Sequence, residues 1–273
     1  MRRHFVVQHG RMLVHHVNAA LMNPPFLSGL VAHVLVVEHS RGLVLVDTGF
    51  GRADHRDPSR LGSSRLLLRP DPDDSSTAAG AVEALGHSVD DVTDIVLTHL
   101  DLDHVGGLAD FPGARVHTTA QEHAAALPKP SLRDRARYRP VQLDHGVRWQ
   151  IHEGPGDAWR DGLTGIEVLP GITMVPMPGH TRGHTAVAVD SDHGLLVHAG
   201  DAVFDASVYT DVSPSGAHLT PIRLLRLFEK VMAVDAKRIA ANHAALARLH
   251  GQDGVTVFPA HDERMLSALQ GQH

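Results

Sequence analysis

The stretch Thr98-His99-Leu100-Asp101-Leu102-Asp103-His104-Val105-Gly106-Gly107 directly follows the apolar run Ile95-Val96-Leu97. Two imidazoles and two carboxylates therefore stand close together at the end of a predicted strand. Such groups are costly to bury without a partner, and a metal ion is a natural one. Imidazole combined with carboxylate suits zinc, and also iron, manganese or cobalt. The alternative is a polar loop that matches by chance, since the chain has 23 histidines; the spacing favours the metal site.

The composition restricts the class of protein that carries this motif. The chain has 273 residues, 42% of them hydrophobic, which is enough for one large domain with a sizeable core. Its formal net charge of −6 argues against a nucleic-acid partner, because phosphates require a basic surface. Arginine is dense at positions 133, 135, 137 and 139, but Asp134 interrupts the run, which we interpret as a solvated loop.

The cysteine count and the N-terminus bear on the compartment. There is no cysteine, which excludes disulfides, thiolate ligands and a cysteine nucleophile. The start, Met1-Arg2-Arg3-His4-Phe5, is not followed by the sustained apolar run of a signal peptide, and no stretch approaches the length of a membrane span. We expect a cytoplasmic protein with a small-molecule substrate and without a membrane partner; a homodimer is left open.

Short apolar runs alternate with helix signals along the chain, and this predicts an α/β layered fold in one domain, 1–273. A hairpin ends at Asp47-Thr48-Gly49, and residues 51–74 are expected to form a loop. Residues 128–165 are irregular and are expected to form a lid or an insertion. The predicted strands are 30–37, 43–46, 94–98, 115–119, 172–175, 185–189, 195–198 and 255–258, and the predicted helices are 77–85, 120–127, one from Thr220-Pro221, 236–249 and 263–269.

Three later residues, each after an apolar segment and a Pro or Gly, are candidates to complete the motif. His180 lies in Pro178-Gly179-His180-Thr181-Arg182-Gly183-His184, Asp201 in Gly200-Asp201, and His261 in Pro259-Ala260-His261. Side chains from loops at one edge of a sheet converge on a common site. Individually these signals are weak, because a lone histidine after a strand is more often structural. Together, in this order, they are strong.

This ordered set resembles the metallo-β-lactamase superfamily over nearly the whole chain. The resemblance implies an αβ/βα four-layer sandwich with two divalent metal ions, zinc first, at one edge of its two sheets. It implies that Asp201 bridges the ions and that Asp47 and His184 orient ligands. Asp101 departs from the usual histidine; it favours manganese, iron or cobalt, or leaves one metal bound. The implied first metal takes His99, Asp101 and His180, and the second takes Asp103, His104 and His261.

The resemblance also implies a hydrolase that uses a metal-bridging hydroxide, with Asp103 as the catalytic residue that orients it and passes a proton to the leaving group. Within the superfamily the chain is most similar to quorum-quenching N-acyl-homoserine lactone lactonases. Phe204 stands where those enzymes commonly have a tyrosine. The implied substrate-pocket residues are Met22, Phe26, Phe204 and Tyr209. Alternatives are phosphodiester, ester or thioester hydrolysis, a di-iron redox enzyme, and metal storage.

Overall fold

Two six-stranded sheets form the centre of the fold. The computed structural model describes residues 12–25, 27, 29–71, 76–131 and 134–271. The strands of the first sheet are β1 (Leu13–Met22), β2 (Leu30–His39), β3 (Gly42–Val46), β4 (Val92–Val96), β5 (Arg115–Thr119) and β6 (Arg148–His152), in that spatial order. The second sheet contains β7 (Asp157–Ala158), β8 (Thr164–Leu169), β9 (Ile172–Pro176), β10 (Thr185–Ser191), β11 (Gly194–His198) and β12 (Val255–Phe258), with neighbours in the order β12-β11-β10-β9-β8-β7.

Strand direction determines which loops meet. Strands β2 and β3 form the predicted antiparallel hairpin, in which His39 pairs with Gly42. From β3 to β6 neighbouring strands are parallel, and β11 is parallel to β12. The carboxyl ends of parallel neighbours lie at the same edge of a sheet, so the segments after β3, β4, β11 and β12 are brought together there.

Side-chain alternation along the strands divides the core into layers. Val34 and Val36 of β2 pack on the outer side of the first sheet, whereas Leu35 and Val37 pack between the sheets. In β10 the same alternation sends Val187 to the inter-sheet layer. Because successive residues of a strand face opposite sides, these apolar runs are buried on both faces.

Helices cover the two outer faces. Helix α3 (Ala78–Ala84) and α5 (Ala120–Ala126) contribute alanines and Val82 to the outer core of the first sheet, and Leu246 of α7 (Ala236–His250) packs on the second. The resulting order, helix, sheet, sheet, helix, confirms the predicted αβ/βα sandwich. The other helices are α1 (Arg52–Arg56), α2 (Ser64–Leu68), α4 (Leu102–Val105), α6 (Arg223–Met232) and α8 (Glu263–Gln270).

Three parts of the chain differ from the sequence prediction. Residues 51–71 contain the short helices α1 and α2, where a loop was expected. Strand β1 was not predicted, and the stretch 128–165, expected to form a lid or an insertion, contains β6, β7 and the first two residues of β8, so nine of its 38 residues belong to the sheets. The N-cap of α3 is Thr77, whose hydroxyl accepts from the Gly80 N–H at 3.0 Å. Within the described residues no helix is long and apolar enough to cross a bilayer.

Candidate metal centre

The segments that follow the strands are tied together by backbone hydrogen bonds at one edge of the two sheets. The Thr48 N–H donates to the His104 carbonyl at 2.9 Å, and the Ala260 N–H donates to the Gly200 carbonyl at 3.1 Å. A third bond, from Thr185 N–H to the Thr98 carbonyl at 2.9 Å, joins the second sheet to the motif after β4. These backbone hydrogen bonds therefore fix the positions of the Cα atoms from which the side chains at this edge extend.

The first group of ligand-type side chains consists of His99, Asp101, His180 and Asp201. One candidate ligand atom from each lies within 4.8 Å of the others, and all four side chains are buried. His180 Nε2 is 2.9 Å from Asp101 Oδ2 and 3.2 Å from Asp201 Oδ2. His99 Nε2 is 3.4 Å from Asp101 Oδ2. Two imidazoles and two carboxylates thus face one small volume.

The second group consists of Asp103, His104 and His261, again with ligand atoms within 4.8 Å of one another. Asp201 lies between the two groups. Its Oδ2 faces His180, whereas its Oδ1 is 3.4 Å from His104 Nε2 and 3.2 Å from His261 Nε2. One carboxylate therefore presents a different oxygen to each group.

A further layer of hydrogen bonds orients the imidazoles. The His104 Nδ1–H donates to Asp47 Oδ2 at 2.9 Å, and the His261 Nδ1–H donates to the Val31 carbonyl at 2.8 Å. Both rings therefore turn Nε2 toward the centre. His184 Nε2 accepts from the Asp201 N–H at 2.9 Å, which fixes the backbone of the central carboxylate. Contacts of this kind set the tautomer and the ring orientation of metal ligands.

Mutual attraction outweighs burial at Asp201, His104 and His261, whereas burial keeps the pKa of His180 below its ordinary value. Burial alone would raise the pKa of Asp201, but His261 and His180 hold that pKa well below its usual range. In the opposite sense, burial would lower the pKa of His104, while Asp201 and Asp47 raise it well above its ordinary value. Against the effect of burial, Asp201 raises the pKa of His261 to about 9. The second group, together with Asp201, therefore favours positive charge.

Several buried polar atoms at this centre lack a hydrogen-bond partner. They include His99 Nε2, Asp101 Oδ1, His104 Nε2 and Asp201 Oδ1. Buried polar atoms are rarely left unsatisfied, and each costs free energy unless another ligand completes it. Imidazole nitrogen and carboxylate oxygen are the donors that zinc and related divalent metals take. The residues present therefore fit divalent metal binding.

A cavity of about 280 Å³ opens beside the two groups. Asp101, Asp103, Asp201 and His261 line its polar end. The other lining residues are mostly apolar and come from α2, α6 and the segment after β11: Leu67, Leu68, Phe204, Phe228, Val231 and Met232. A small molecule with one polar and one apolar end suits this shape.

The sequence model of the metallo-beta-lactamase superfamily matches residues 27–243, which include six of the seven clustered side chains. The chain belongs to this superfamily. A probable metallo-hydrolase of Mycobacterium tuberculosis is 43% identical over 255 residues, covering 91% of this chain and 80% of the relative. The chain is thus a metallo-hydrolase of the superfamily, and the family resemblance found in the sequence is confirmed.

More distant relatives include enzymes with named substrates. An N-acyl homoserine lactonase of Bacillus thuringiensis is 24% identical over 219 residues, covering 78% of this chain and 81% of the relative. The solved structure of an N-acyl homoserine lactone hydrolase, with the product N-hexanoyl-L-homoserine at its catalytic metal centre, aligns with a TM-score of 0.66. That match covers 92% of this chain and 93% of the other at 19% identity, so it concerns the fold.

Of the four pocket residues implied by the lactonase resemblance, only some can be compared with the cavity, and they do not all line it. Phe204 lines the cavity. Met22 and Tyr209 do not: Met22 is fully buried in the same apolar cluster as Leu68, and the Tyr209 hydroxyl donates to the Val257 carbonyl at 2.9 Å. The Tyr209 hydroxyl is thus used in a backbone contact and is not presented to the cavity. Phe26 lies outside the described residues.

Two residues at the centre carry no sequence signal that we recognised. Arg137, interpreted as part of a solvated loop, is only 9% exposed, lines the cavity and donates to Asp101 Oδ2 at 2.9 Å. That interpretation is wrong for Arg137, because the buried carboxylate of Asp101 draws it inward. Glu122 of α5 is buried and accepts from the Leu100 and Gly183 N–H groups, each at 3.0 Å. It holds the motif against the loop that carries His180.

Proposed function

We propose that this metallo-hydrolase is a dinuclear enzyme that opens a lactone ring bearing an apolar chain. The observation that carries the proposal is the position of Asp201, whose two oxygens face two separate groups of ligand-type side chains at the polar end of a half-apolar cavity. The distant relatives named as N-acyl homoserine lactonases support the substrate class.

Zinc is our first choice for the metal, because both groups combine imidazole nitrogen with carboxylate oxygen. Asp101 adds a third carboxylate to Asp103 and Asp201, and this harder ligand set also suits manganese, iron or cobalt. When bound, two such cations would supply an activated water and polarise the carbonyl of the substrate.

Within this scheme Asp103 is the proton-handling residue. Its side chain is 14% exposed and lines the cavity, whereas the other carboxylates of the centre are more deeply buried. Asp103 Oδ2 is 3.6 Å from His261 Nε2, so the carboxylate is directed at the centre and is open to the cavity. It can accept a proton from an attacking water and return it to the leaving alkoxide of an opened ring.

The apolar end of the cavity selects the rest of the substrate. Phe204 has no hydrogen-bonding group, so it contributes contact area and no donor. Phe228 and Val231 of α6 continue the apolar wall outward, and Val231 is 71% exposed at the mouth. An acyl chain that follows this wall would bury apolar area at a gain of about 25 cal/mol per Å².

A substrate panel tests the proposal. Protein loaded with zinc or with manganese is assayed against acyl-homoserine lactones, phosphodiesters, thioesters and β-lactams, with Asp103→Asn and the exposed-turn variant Asp90→Asn as a matched pair. We expect lactones to give the largest kcat/KM, Asp103→Asn to lose roughly 100-fold or more, and Asp90→Asn to lose nothing. A larger kcat/KM for a phosphodiester would refute the lactone assignment.

Chain length tests the apolar wall separately. KM should fall as the acyl chain of the lactone lengthens, and Val231→Asp should raise KM for a long-chain lactone by about tenfold with little change in kcat. Leu224→Asp is the matched control, because Leu224 lies on the same helix, is 39% exposed and does not line the cavity. Equal effects of the two substitutions would contradict the assigned wall.

A further inference from the structure

Arg137 reaches the metal centre from the segment between α5 and β6. Its Nη1 donates to Asp101 Oδ2 at 2.9 Å and to the His180 carbonyl at 3.2 Å, and its Nη2 donates to the Met232 carbonyl. One guanidinium thus joins two ligand-bearing segments to the end of α6, which is a wall of the cavity. The fixed fork of arginine suits such a multi-point contact.

The two oxygens of Asp101 have different surroundings. Oδ2 accepts from Arg137 and is also 2.9 Å from His180 Nε2. Oδ1 is buried and has no hydrogen-bond partner. An arginine that holds Oδ2 fixes the rotation of the carboxylate, and it keeps this oxygen directed at His180 Nε2 and at His99 Nε2, which is 3.4 Å away.

Arg137 also balances the negative charge of Asp101. A buried guanidinium is stable only when it is paired, and its one ion pair among the described residues is with Asp101. Conversely, Asp101 lies close to Asp201 as well as to imidazoles, so the centre concentrates carboxylates. Arg137 supplies a permanent positive charge beside Asp101 that does not depend on whether a metal is bound.

We propose that Arg137 is a positioning residue that neutralises Asp101 and fixes the rotation of its carboxylate within the first group of ligand-type side chains. The Asp101–Arg137 pair then acts as one uncharged ligand unit. The inference rests on the metal centre of the proposed function and is independent of the lactone substrate.

The rival role for Arg137 is that of a simple anchor for its loop, and the two roles predict different stabilities with and without metal. In Arg137→Met, the Asp101 carboxylate keeps its cationic partner only while metal is bound. The difference in Tm between zinc-loaded and chelator-treated protein should therefore exceed the wild-type difference by about 5–10 °C. A loop anchor would lower both Tm values equally, and an unchanged difference would overturn the proposal.

Arg139→Met is the matched control for this measurement. Arg139 lies in the same segment, donates from Nε to the Arg60 carbonyl at 2.9 Å and does not line the cavity. Its loss should lower the two Tm values by the same amount. A widened difference in Arg139→Met as well would show that loop anchoring accounts for the effect, and would also overturn the proposal.

A charge-swap cycle tests the pair without depending on one variant. Asp101→His leaves Arg137 buried beside imidazoles and cations, so we expect it to bind about one equivalent of zinc fewer than wild type after dialysis against zinc. The double variant Asp101→His with Arg137→Met replaces the Asp–Arg pair, which has no net charge, by a neutral imidazole and a neutral thioether. It should therefore recover the lost zinc. Zinc content in the double variant no higher than in Asp101→His would contradict the coupling, whatever substrate the enzyme hydrolyses.

Discussion

Asp47 shows how a single residue organises the centre without facing the cavity. Its backbone has φ of 60°, a left-handed conformation that few residues other than glycine adopt readily, although Asp and Asn tolerate it. From that position Oδ1 accepts from the Thr98 N–H at 2.8 Å, and Oδ2 accepts from the Thr98 hydroxyl at 2.7 Å and from His104 Nδ1–H at 2.9 Å. The end of β3 is thereby connected to the metal motif.

Asp47→Asn should weaken metal binding while the fold is retained. Asparagine accepts the left-handed backbone, but its amide removes the negative charge and one of the accepting oxygens that orient His104. We expect zinc affinity to fall by about 10–100-fold in competition with a chromophoric chelator. Asp161→Asn is a matched control, because Asp161 also has positive φ, at 52°, and lies away from the centre beside Arg248. Equal affinities in the two variants would refute the role of Asp47.

At the scale of elements, α5 supports the metal motif through one buried carboxylate. Thr119 caps the helix by accepting from the Glu122 N–H at 3.2 Å, so the first turn is fixed. The Glu122 side chain then accepts from Leu100 N–H, Gly183 N–H and the Tyr138 hydroxyl, each at 3.0 Å. This helix therefore joins both sheets and the segment that carries Arg137.

Glu122→Gln should destabilise the protein by about 1–3 kcal/mol, because the amide turns a donor toward backbone N–H groups that need an acceptor. Urea unfolding of the zinc-loaded protein measures this loss. Glu83→Gln provides the comparison, since Glu83 pairs with Arg52 at a side-chain exposure of 49%, and exposed pairs contribute about 0–1 kcal/mol. A loss for Glu122→Gln no larger than for Glu83→Gln would exclude a supporting role for Glu122.

For the whole molecule, the acid limit of stability depends in part on Asp205, which joins α6 and α8. Burial opposes its charge, but Ser207, Arg226, the Ile222 N–H and Arg264 lower its pKa from 3.8 to about 2. Because the pKa is lower in the folded state, the carboxylate stabilises the fold fully above its unfolded value. That contribution is lost as the pH falls toward the folded value.

Asp205→Asn removes this pH-dependent contribution. The free energy of unfolding of wild type should exceed that of Asp205→Asn by an amount that is constant near neutral pH and shrinks as the pH falls from 3.8 to about 2. Denaturant titrations of the two proteins at matched pH measure the difference. A difference that does not change across that window would exclude the linkage.

The features that could be predicted from the sequence are those marked by residues that are close together in the chain, such as apolar runs and motifs at strand ends. Strands β2 and β3 contain the apolar runs 34–37 and 43–46 of Val and Leu, and the two-sided burial of Leu35 and Val36 explains why a plain apolar run was sufficient. The resemblance likewise followed motif residues at strand ends, such as His99 and His180. The fold and the superfamily are confirmed, whereas zinc, the second metal and the lactone stay predictions.

The missed features depend on contacts between distant residues. Arg137 meets Asp101 across 36 positions and Met232 across 95, and nothing in its own segment marks it as buried. Strand β1 contains His15, His16 and Asn18, so its period was masked by polar side chains. Such positions become interpretable only once the packing of the two sheets is known.

The ligand-type side chains are divided between the two halves of the sandwich, and this has a kinetic consequence. Four of them follow β4 of the first sheet, and His180, Asp201 and His261 follow strands of the second. A metal can then join all its ligands only after both sheets have docked, late in folding. Removal of metal should accordingly speed unfolding and leave the refolding rate nearly unchanged, as stopped-flow denaturant jumps with and without chelator would measure. If removal of metal slows refolding as much as it speeds unfolding, the centre belongs to the folding nucleus. If only unfolding is faster, the metal centre at this edge of the sheets sets the lifetime of the native state.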